Sequence, residues 1–458
     1  MHLIDILKKF SENKPVLFTT PGHLQGYKIL PEIEDLLGKK VFKADFSEII
    51  GLDNLQNPAG VLLKSQIRAS EIYGSKYSYY LVNGSSSGIL ALMLSTVKPG
   101  EKVLIARNIH KSVVNALILS GAEPVWINPE WHSEWNIPIQ LDFIKIKKAL
   151  ENNPDIKSVW LTNPTYEGVI TDIASIAELC RKKEILFIVD EAHGALWNFS
   201  KKLPTSAIQQ GADASVQSLH KTASSLTQGA ILHLGKFSRI NPETLQQCLN
   251  IVNTTSPSYV ILASIEGAIE YLYSKQGGKT LDNLLENIDI FKQNLSKYKD
   301  ILFLKKSSEY SIDKTKLFLG IKGVSGQDLA DILFEKYNIE VELNNDRGIL
   351  ALTGIGTSRK NLDKLTVSIV KSKKLLKNFD KQAENIASLV NPKVIFTPSQ
   401  AFYKKSKKIN LQSSLGLISK ETIVAYPPGI PILIAGEMIQ QEHINLLKNY
   451  KQIDIILD

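Results

Sequence analysis

The chain has 458 residues, 43% apolar and 22% charged, with 54 Lys and Arg against 46 Asp and Glu for a formal net charge of +8. That balance is globular: it excludes collagenous, disordered and disulfide-framework classes, and the length allows two to four domains around a large core. Cys180 and Cys248 lack metal-ligand spacing, no apolar run nears the ~18 residues of a membrane span, and the early acid Asp5 does not fit a signal peptide, so a reducing cytoplasm is expected.

Residues 1–50 read as an N-terminal segment, 51–300 as a large domain and 301–458 as a smaller α+β domain. In the large domain, short apolar runs alternate with helical patterns. Tyr79–Val82 precedes a small-residue turn and the helical stretch Ile89–Val97, and Val103–Ala106 precedes Val113–Ser120. Pro124–Ile127 is followed by an amphipathic stretch from Leu141; Ser158–Thr162 precedes Ile173–Lys182, and Ile185–Asp190, Asp213–Gln217 and Ala230–Leu234 complete the strands. Strands alternating with crossover helices predict an α/β fold with a mainly parallel sheet covered on both faces. Beyond 300, Lys316–Ile321, Ile339–Leu343 and Ile349–Thr353 read as strands among helices, and a Pro-rich turn, Tyr426-Pro427-Pro428-Gly429-Ile430-Pro431, marks the end of the small domain.

The excess charge is local. Residues 1–300 hold 31 basic and 30 acidic side chains, whereas 351–408 hold 13 and 3. A basic tract can bind nucleic acid. Here Lys371, Lys373, Lys374, Lys377 and Lys381 interleave with Val370, Leu375, Leu376 and Phe379 at helical spacing, the pattern of a solvated helix face.

Ligands of parallel sheets bind beyond the carboxyl ends of the strands, so the residues that end each run carry the functional signal. Asn83-Gly84-Ser85-Ser86-Ser87-Gly88 follows a strand and opens a helix, which suits a phosphate: small residues admit it, hydroxyls donate to it and the helix terminus favours its charge. Asp190 ends a strongly apolar run, where a carboxylate needs a cation, a strong donor or a helix to cap. Lys221 follows the strand Asp213–Gln217, and a lysine desolvated at a sheet mouth can attack a carbonyl as the free amine. Each has an ordinary reading as turn, cap or surface charge. Together, in this order, they meet the needs of pyridoxal phosphate: a cradle for the phosphate, a lysine for the aldehyde and a carboxylate for the pyridine nitrogen.

The sequence resembles the Orn/Lys/Arg decarboxylase family. The resemblance is carried by Thr20-Pro21-Gly22-His23, the segment 45–55, the 83–88 loop, Arg107-Asn108-Ile109-His110-Lys111-Ser112, Pro164-Thr165-Tyr166, Asp190-Glu191-Ala192-His193-Gly194-Ala195, Gln217-Ser218-Leu219-His220-Lys221-Thr222, Thr227-Gln228, Thr255-Ser256-Pro257-Ser258-Tyr259 and the Pro-rich turn. It implies the seven-stranded, mainly parallel α/β sheet of fold-type-I pyridoxal-phosphate enzymes with a smaller α+β C-terminal domain. It also implies Lys221 as the Schiff-base lysine, Asp190 on the pyridine nitrogen and His110 stacked on the ring, with Ala192 and His193 on the other side. Ser85, Ser86, Ser218 and His220 would bind the phosphate, and Thr255 or Thr254 would reach that of a neighbouring subunit.

The family often has a second histidine where this chain has Leu196, a lysine where it has Leu24, and a proline leading the Ala435-Gly436-Glu437 turn. The first motif begins by residue 20, where long members carry a receiver-like domain, so the resemblance favours a homodimer with the active site at the subunit interface. The implied reaction is α-decarboxylation of arginine or lysine, less readily ornithine, with transamination or aldol cleavage as the rival on the same cofactor. A remote rival is a nucleotide hydrolase, since Asp190-Glu191-Ala192-His193 spells a helicase box, but Gly278-Lys279-Thr280 follows that box and has Tyr273 where a phosphate loop needs glycine. Glu48, Asp53 and Glu167 are motif-adjacent candidates for holding a basic substrate side chain, each read more readily as a cap or a solvated surface group.

Overall fold

The computed structural model describes residues 2–13, 16–139, 141–376, 392–425 and 430–457. The apolar runs become seven strands: β1 (Tyr77–Leu81), β2 (Lys102–Ala106), β3 (Glu123–Ile127), β4 (Ser158–Thr162), β5 (Leu186–Asp190), β6 (Ala214–Gln217) and β7 (Ala230–Leu234). They lie in the order β3-β2-β4-β5-β6-β7-β1. Strands β2 to β6 pair in parallel, while β7 runs antiparallel to both β6 and β1. The runs are continuously apolar because helices cover both faces of the sheet.

Register sets the site. Thr162 pairs with Asp190 and Asp190 with Val216, so β4, β5 and β6 end level with one another. The helix Gly84–Thr96 begins five residues before its expected apolar start, and Gly88 lets it lie close on the sheet. A Cβ there would stand 2.7 Å from Leu81 Cδ1 and 3.1 Å from Val216 Cγ1. Both cysteines are buried in the core around this sheet.

Strands β8 (Ile301–Phe303), β9 (Lys316–Ile321), β10 (Leu343–Asn344) and β11 (Ile349–Leu352) form an antiparallel sheet in the order β8-β9-β11-β10. Its core joins Leu317 and Ile349 to Leu285 and Ile288 of helix Lys275–Leu295 and to Leu333 and Leu362 of two further helices. The strand expected over Ile339–Leu343 contracts to β10. Asn338, in a left-handed conformation with φ 50°, turns the chain out of helix Gly326–Tyr337, and residues 339–342 border a cavity before β10 begins.

The basic stretch contains the helix Arg359–Leu375, which buries Leu362, Leu365 and Ile369 and exposes Lys371 and Lys374; Lys373 pairs with Asp300. Leu375, expected on the apolar stripe, is exposed, because that stripe ends a turn earlier at Ser372. Lys377, Phe379 and Lys381 lie outside the described residues, as do Tyr426 to Gly429 of the Pro-rich turn. Gly278-Lys279-Thr280 lies inside helix Lys275–Leu295, where Gly278 N–H bonds to Ser274 O at 2.9 Å, so it cannot wrap a phosphate. That removes the nucleotide-hydrolase reading.

The C-terminal residues pair Ser406–Asn410 with Gln452–Ile456 and Ile423–Ala425 with Ile430–Leu433 around their own core of Leu411, Leu433, Ile444 and Ile453. At the other end of the chain, helix Leu3–Asn13 buries Leu3 and Leu7 in a core shared with Leu262 and Ile265. Glu266 accepts the N–H groups of Leu3 and Ile4 at 3.0 and 3.1 Å, placing a carboxylate where the helix dipole favours it. Among the described residues, no helix is long and apolar enough to cross a membrane.

Candidate active site

The residues that end β2, β4, β5 and β6 converge on one inner pocket. Ser85 comes from the helix after β1, Asn108 and His110 from the turn after β2, and Thr162, Thr165 and Tyr166 from β4 and its loop. Asp190, Ala192 and His193 come from the end of β5, and Lys221 from the short helix after β6. Thr162 Oγ1 and Asn108 Oδ1 are buried without a hydrogen-bond partner, leaving polar atoms to receive a ligand.

The Ser85 end has features that suit an anion. Gly84 takes a φ of +75°, which glycine adopts without strain, and the N-cap residue Asn83 makes no side-chain hydrogen bond to the helix behind it. Ser218 Oγ donates to Ser85 Oγ at 2.9 Å, tying the β6 loop to this cradle. Ser86 sits at the next helical position, and His220 holds Gly229 O through its backbone N–H at 3.1 Å, with Nδ1 at 3.0 Å from the same oxygen; neither side chain lines the inner pocket. Thr255 is exposed in the loop after Val252, away from the pocket of its own chain.

Asp190 is buried at the end of β5, and its Oδ1 accepts the N–H of Ala192 at 3.1 Å. Its neighbour Glu191 points into the core, where it accepts from Ala207 N and Gln217 Nε2, both at 2.7 Å. Burial raises the Glu191 carboxyl to about 8, opposed by these donors and reinforced by Asp190. His110 serves both of its readings. It caps helix Lys111–Ser120 by accepting Ser112 N–H at Nδ1, 3.1 Å, and it stands at the pocket beside Asp190 and Lys221. Accepting at Nδ1 leaves the ring N–H on Nε2 in the neutral form.

Burial lowers the Lys221 ammonium from its ordinary range, with Asp190 and Glu342 opposing the shift. Its Nζ stands 2.9 Å from Nε2 of His193 and 5.6 Å from the centre of the Tyr166 ring. On its other side Lys221 borders a second cavity of about 750 Å³, whose wall includes Glu340, Glu342, Thr353, Thr357 and Asn361. Tyr166 OH donates to Glu342, so one aromatic ring spans the two spaces.

Glu340, Glu342, Tyr166 and Thr162 line the two cavities, and strand-end reasoning did not single them out. Only Tyr166 stood in a quoted motif, and the glutamates come from a part of the chain that the topology, not the local pattern, brings to Lys221. The three motif-adjacent carboxylates line neither cavity. Asp53 caps helix Val61–Tyr73, accepting five backbone N–H groups between 2.7 and 3.3 Å. Glu167 is buried, which lifts its carboxyl to about 7. Glu48 is half-buried and its carboxyl is raised by desolvation.

A small-residue turn opening a helix, a strand-end carboxylate, a half-buried lysine and unpaired polar atoms around one pocket fit pyridoxal phosphate. Comparison with known proteins agrees. Residues 2–321 match the model of the Orn/Lys/Arg decarboxylase major domain, and residues 380–455 that of the family's C-terminal domain. The arginine decarboxylase of Bacillus subtilis is 34% identical over 98% of this chain and 92% of its own, and that of Halalkalibacterium halodurans is 32% identical over 96% and 91%. The crystal structure of a Francisella novicida lysine decarboxylase superposes with a TM-score of 0.86 over 99% of this chain and 81% of its own, at 21% identity, which is a likeness of fold. The chain therefore belongs to the Orn/Lys/Arg decarboxylases, pyridoxal-phosphate-dependent lyases that act on basic amino acids.

Proposed function

We propose that this protein decarboxylates arginine, with Lys221 holding the cofactor and Asp190 its pyridine nitrogen. The observation that carries the reading is that Lys221 borders both cavities, the inner one with Asp190 at its wall and the outer one with Glu340 and Glu342. A basic side chain reaching into the outer cavity meets carboxylates that can accept charge-assisted hydrogen bonds. The two near-full-length relatives named as arginine decarboxylases favour arginine over lysine.

The bound cofactor supplies a ring that withdraws the electron pair left on the α-carbon as carbon dioxide departs. Asp190 keeps a proton on the pyridine nitrogen, which makes that withdrawal strong. Ser85, with Ser218 bonded to it, and the helix N-terminus would hold the phosphate; the resemblance adds Ser86 and His220, whose side chains lie outside the inner pocket. His110 would lie on one side of the ring with Ala192 and His193 on the other, and Lys221 or a neighbouring histidine would return the proton to the α-carbon.

Assembly follows from the surface. Val16, Phe18, Tyr27, Leu36 and Ile50 are exposed, Phe18 at 95% and Ile50 at 99%. We assign this apolar segment to the interface of a homodimer, and the resemblance would place Thr255 or Thr254 of one chain at the phosphate of the other. The setting is the cytoplasm. Sedimentation of the purified protein tests the dimer, with a monomer at micromolar concentration as the contrary result. For the substrate, kcat/KM is compared for arginine, lysine and ornithine; arginine is expected to lead, and a preference for either of the others overturns that choice.

A further inference from the structure

His193 is held between two lysines. Its Nε2 lies 2.9 Å from Nζ of Lys221 and its Nδ1 lies 2.8 Å from Nζ of Lys316, the first residue of β9. Lys316 is 2% exposed and His193 5% exposed, so water cannot take over the contact between them, whereas Lys221 also borders the outer cavity. The stem of Lys316 is clamped: a Cβ on Gly168 would stand 2.6 Å from both Cβ and Cγ of Lys316, and the Lys316 N–H bonds to Asp313 O at 3.1 Å.

Donor counting restricts what this chain of three nitrogens can carry. An ammonium only donates, a neutral amine offers a lone pair, and a neutral imidazole has one N–H and one lone pair. Both contacts are hydrogen bonds when the three groups together hold at most one positive charge, and the carboxylates around them favour one over none. With two charges, an N–H must face another N–H across one of the two contacts. We infer that Lys316 is a positioning residue for Lys221, sharing a single proton with it through His193.

The inference rests on Lys221 being the cofactor lysine, as proposed above. The transfer is balanced. The Lys221 ammonium gives a proton to Nε2 of His193, and the Nδ1–H of that ring passes to Nζ of Lys316. Two N–H bonds break, two form, and the charge of the group is unchanged. Lys221 becomes a free amine while its proton is stored 2.8 Å beyond the ring, and the reverse transfer restores it.

The surroundings suit such sharing. Asp190 and Glu342 face Lys221; Asp313, Glu342 and Glu167 face Lys316; His110 and His220 face His193. Burial brings the Lys316 ammonium down to about 7, within reach of neutral pH, with the three carboxylates opposing and Lys221 reinforcing the shift. Burial and the two lysines push the His193 imidazole well below its ordinary range, so the ring passes the proton on instead of keeping it.

The test is a pH titration by NMR of the full-length protein, free of cofactor and labelled with ¹³C at lysine Cε. Signals are assigned with Lys221→Met and Lys316→Met. At neutral pH one of the two lysines should already be an amine. Lys316→Met should raise the midpoint of Lys221 by about one pH unit or more. In a His193→Gln background the same substitution should move it far less, because a cation acting through space alone would act equally in both. Two ammonium groups persisting through about pH 9 in the wild type, or an equal shift in the two backgrounds, overturns the inference, and the wild-type titration suffices should Lys316→Met fail to fold. The underlying reading fails separately: borohydride reduction of cofactor-loaded wild type that labels another lysine overturns the role of Lys221 and leaves the proton sharing standing.

Discussion

Arg107 and Glu437 form a buried ion pair, Nη2 to Oε2 at 2.8 Å, with each residue 1% exposed. Glu437 Oε2 also accepts Ile434 N–H at 2.8 Å, and the guanidinium lies 5.2 Å from the centre of the Trp126 ring. The pair fastens the C-terminal unit to the turn after β2, one residue before Asn108 and three before His110. Ile430, on the strand leading to this pair, lines the inner pocket. The departure from the family pattern, Ala435 in place of a proline, stands two residues before Glu437 in the same turn.

Removing one partner of such a pair strands the other charge without water. Glu437→Gln is expected to cost about 3–5 kcal/mol and to weaken cofactor binding through the 107–110 turn. Urea denaturation and cofactor titration check it. A stability within about 1 kcal/mol of wild type contradicts a structural role for the pair.

Lys221→Ala should lose the visible absorbance of bound cofactor and all measurable activity while remaining folded. Asp190→Asn should still bind cofactor, yet lose roughly 10²-fold or more in kcat, because the pyridine nitrogen loses its proton. Full turnover in either variant, measured as amine formed, rules out its assigned role.

Glu342→Gln and Glu340→Gln address the outer cavity. A hydrogen bond to a charged group contributes about 1.5–3 kcal/mol, so kcat/KM for arginine should fall roughly 10- to 100-fold where the contact is made. The loss of Glu342 should be the larger, since it also holds Tyr166. Unchanged kinetics in both variants would place the basic group of the substrate elsewhere.

Glu191 predicts a pH dependence of stability. Its carboxyl stays protonated in the fold up to about 8, whereas the unfolded group ionises near 4.5. Between those values the native state binds the extra proton, so this residue contributes stability at low pH that is lost as pH rises towards 8. The slope is at most about 1.4 kcal/mol per pH unit. Glu191→Gln removes it, so the variant should gain on wild type between about pH 6 and about pH 8 in urea midpoints. A difference that stays constant over that range contradicts the buried acid.

Much of the fold was legible because strands buried on both faces must be continuously apolar, and each such run ends where the site begins. That Asp190, Lys221 and Ser85 would come to one pocket was readable on that ground, as polar residues at or just after the ends of apolar runs. His110 and His193 were not readable as more than caps without the resemblance. Lys316 and Glu342 stayed hidden for a different reason. They come from the smaller sheet, and their approach to Lys221 is a matter of how two parts of the chain pack. Lys316 is also one cation among 54 Lys and Arg, with nothing local to mark it as buried. The expected strand over Ile339–Leu343 failed for a related reason, since alternation cannot distinguish a sheet edge from a cavity wall.

The most direct test of the account is the stoichiometry of product formation by cofactor-loaded protein given arginine labelled at the carboxyl carbon. The account predicts labelled carbon dioxide and the corresponding amine in equal amounts, both abolished in Lys221→Ala. Keto acid formed without carbon dioxide would contradict it.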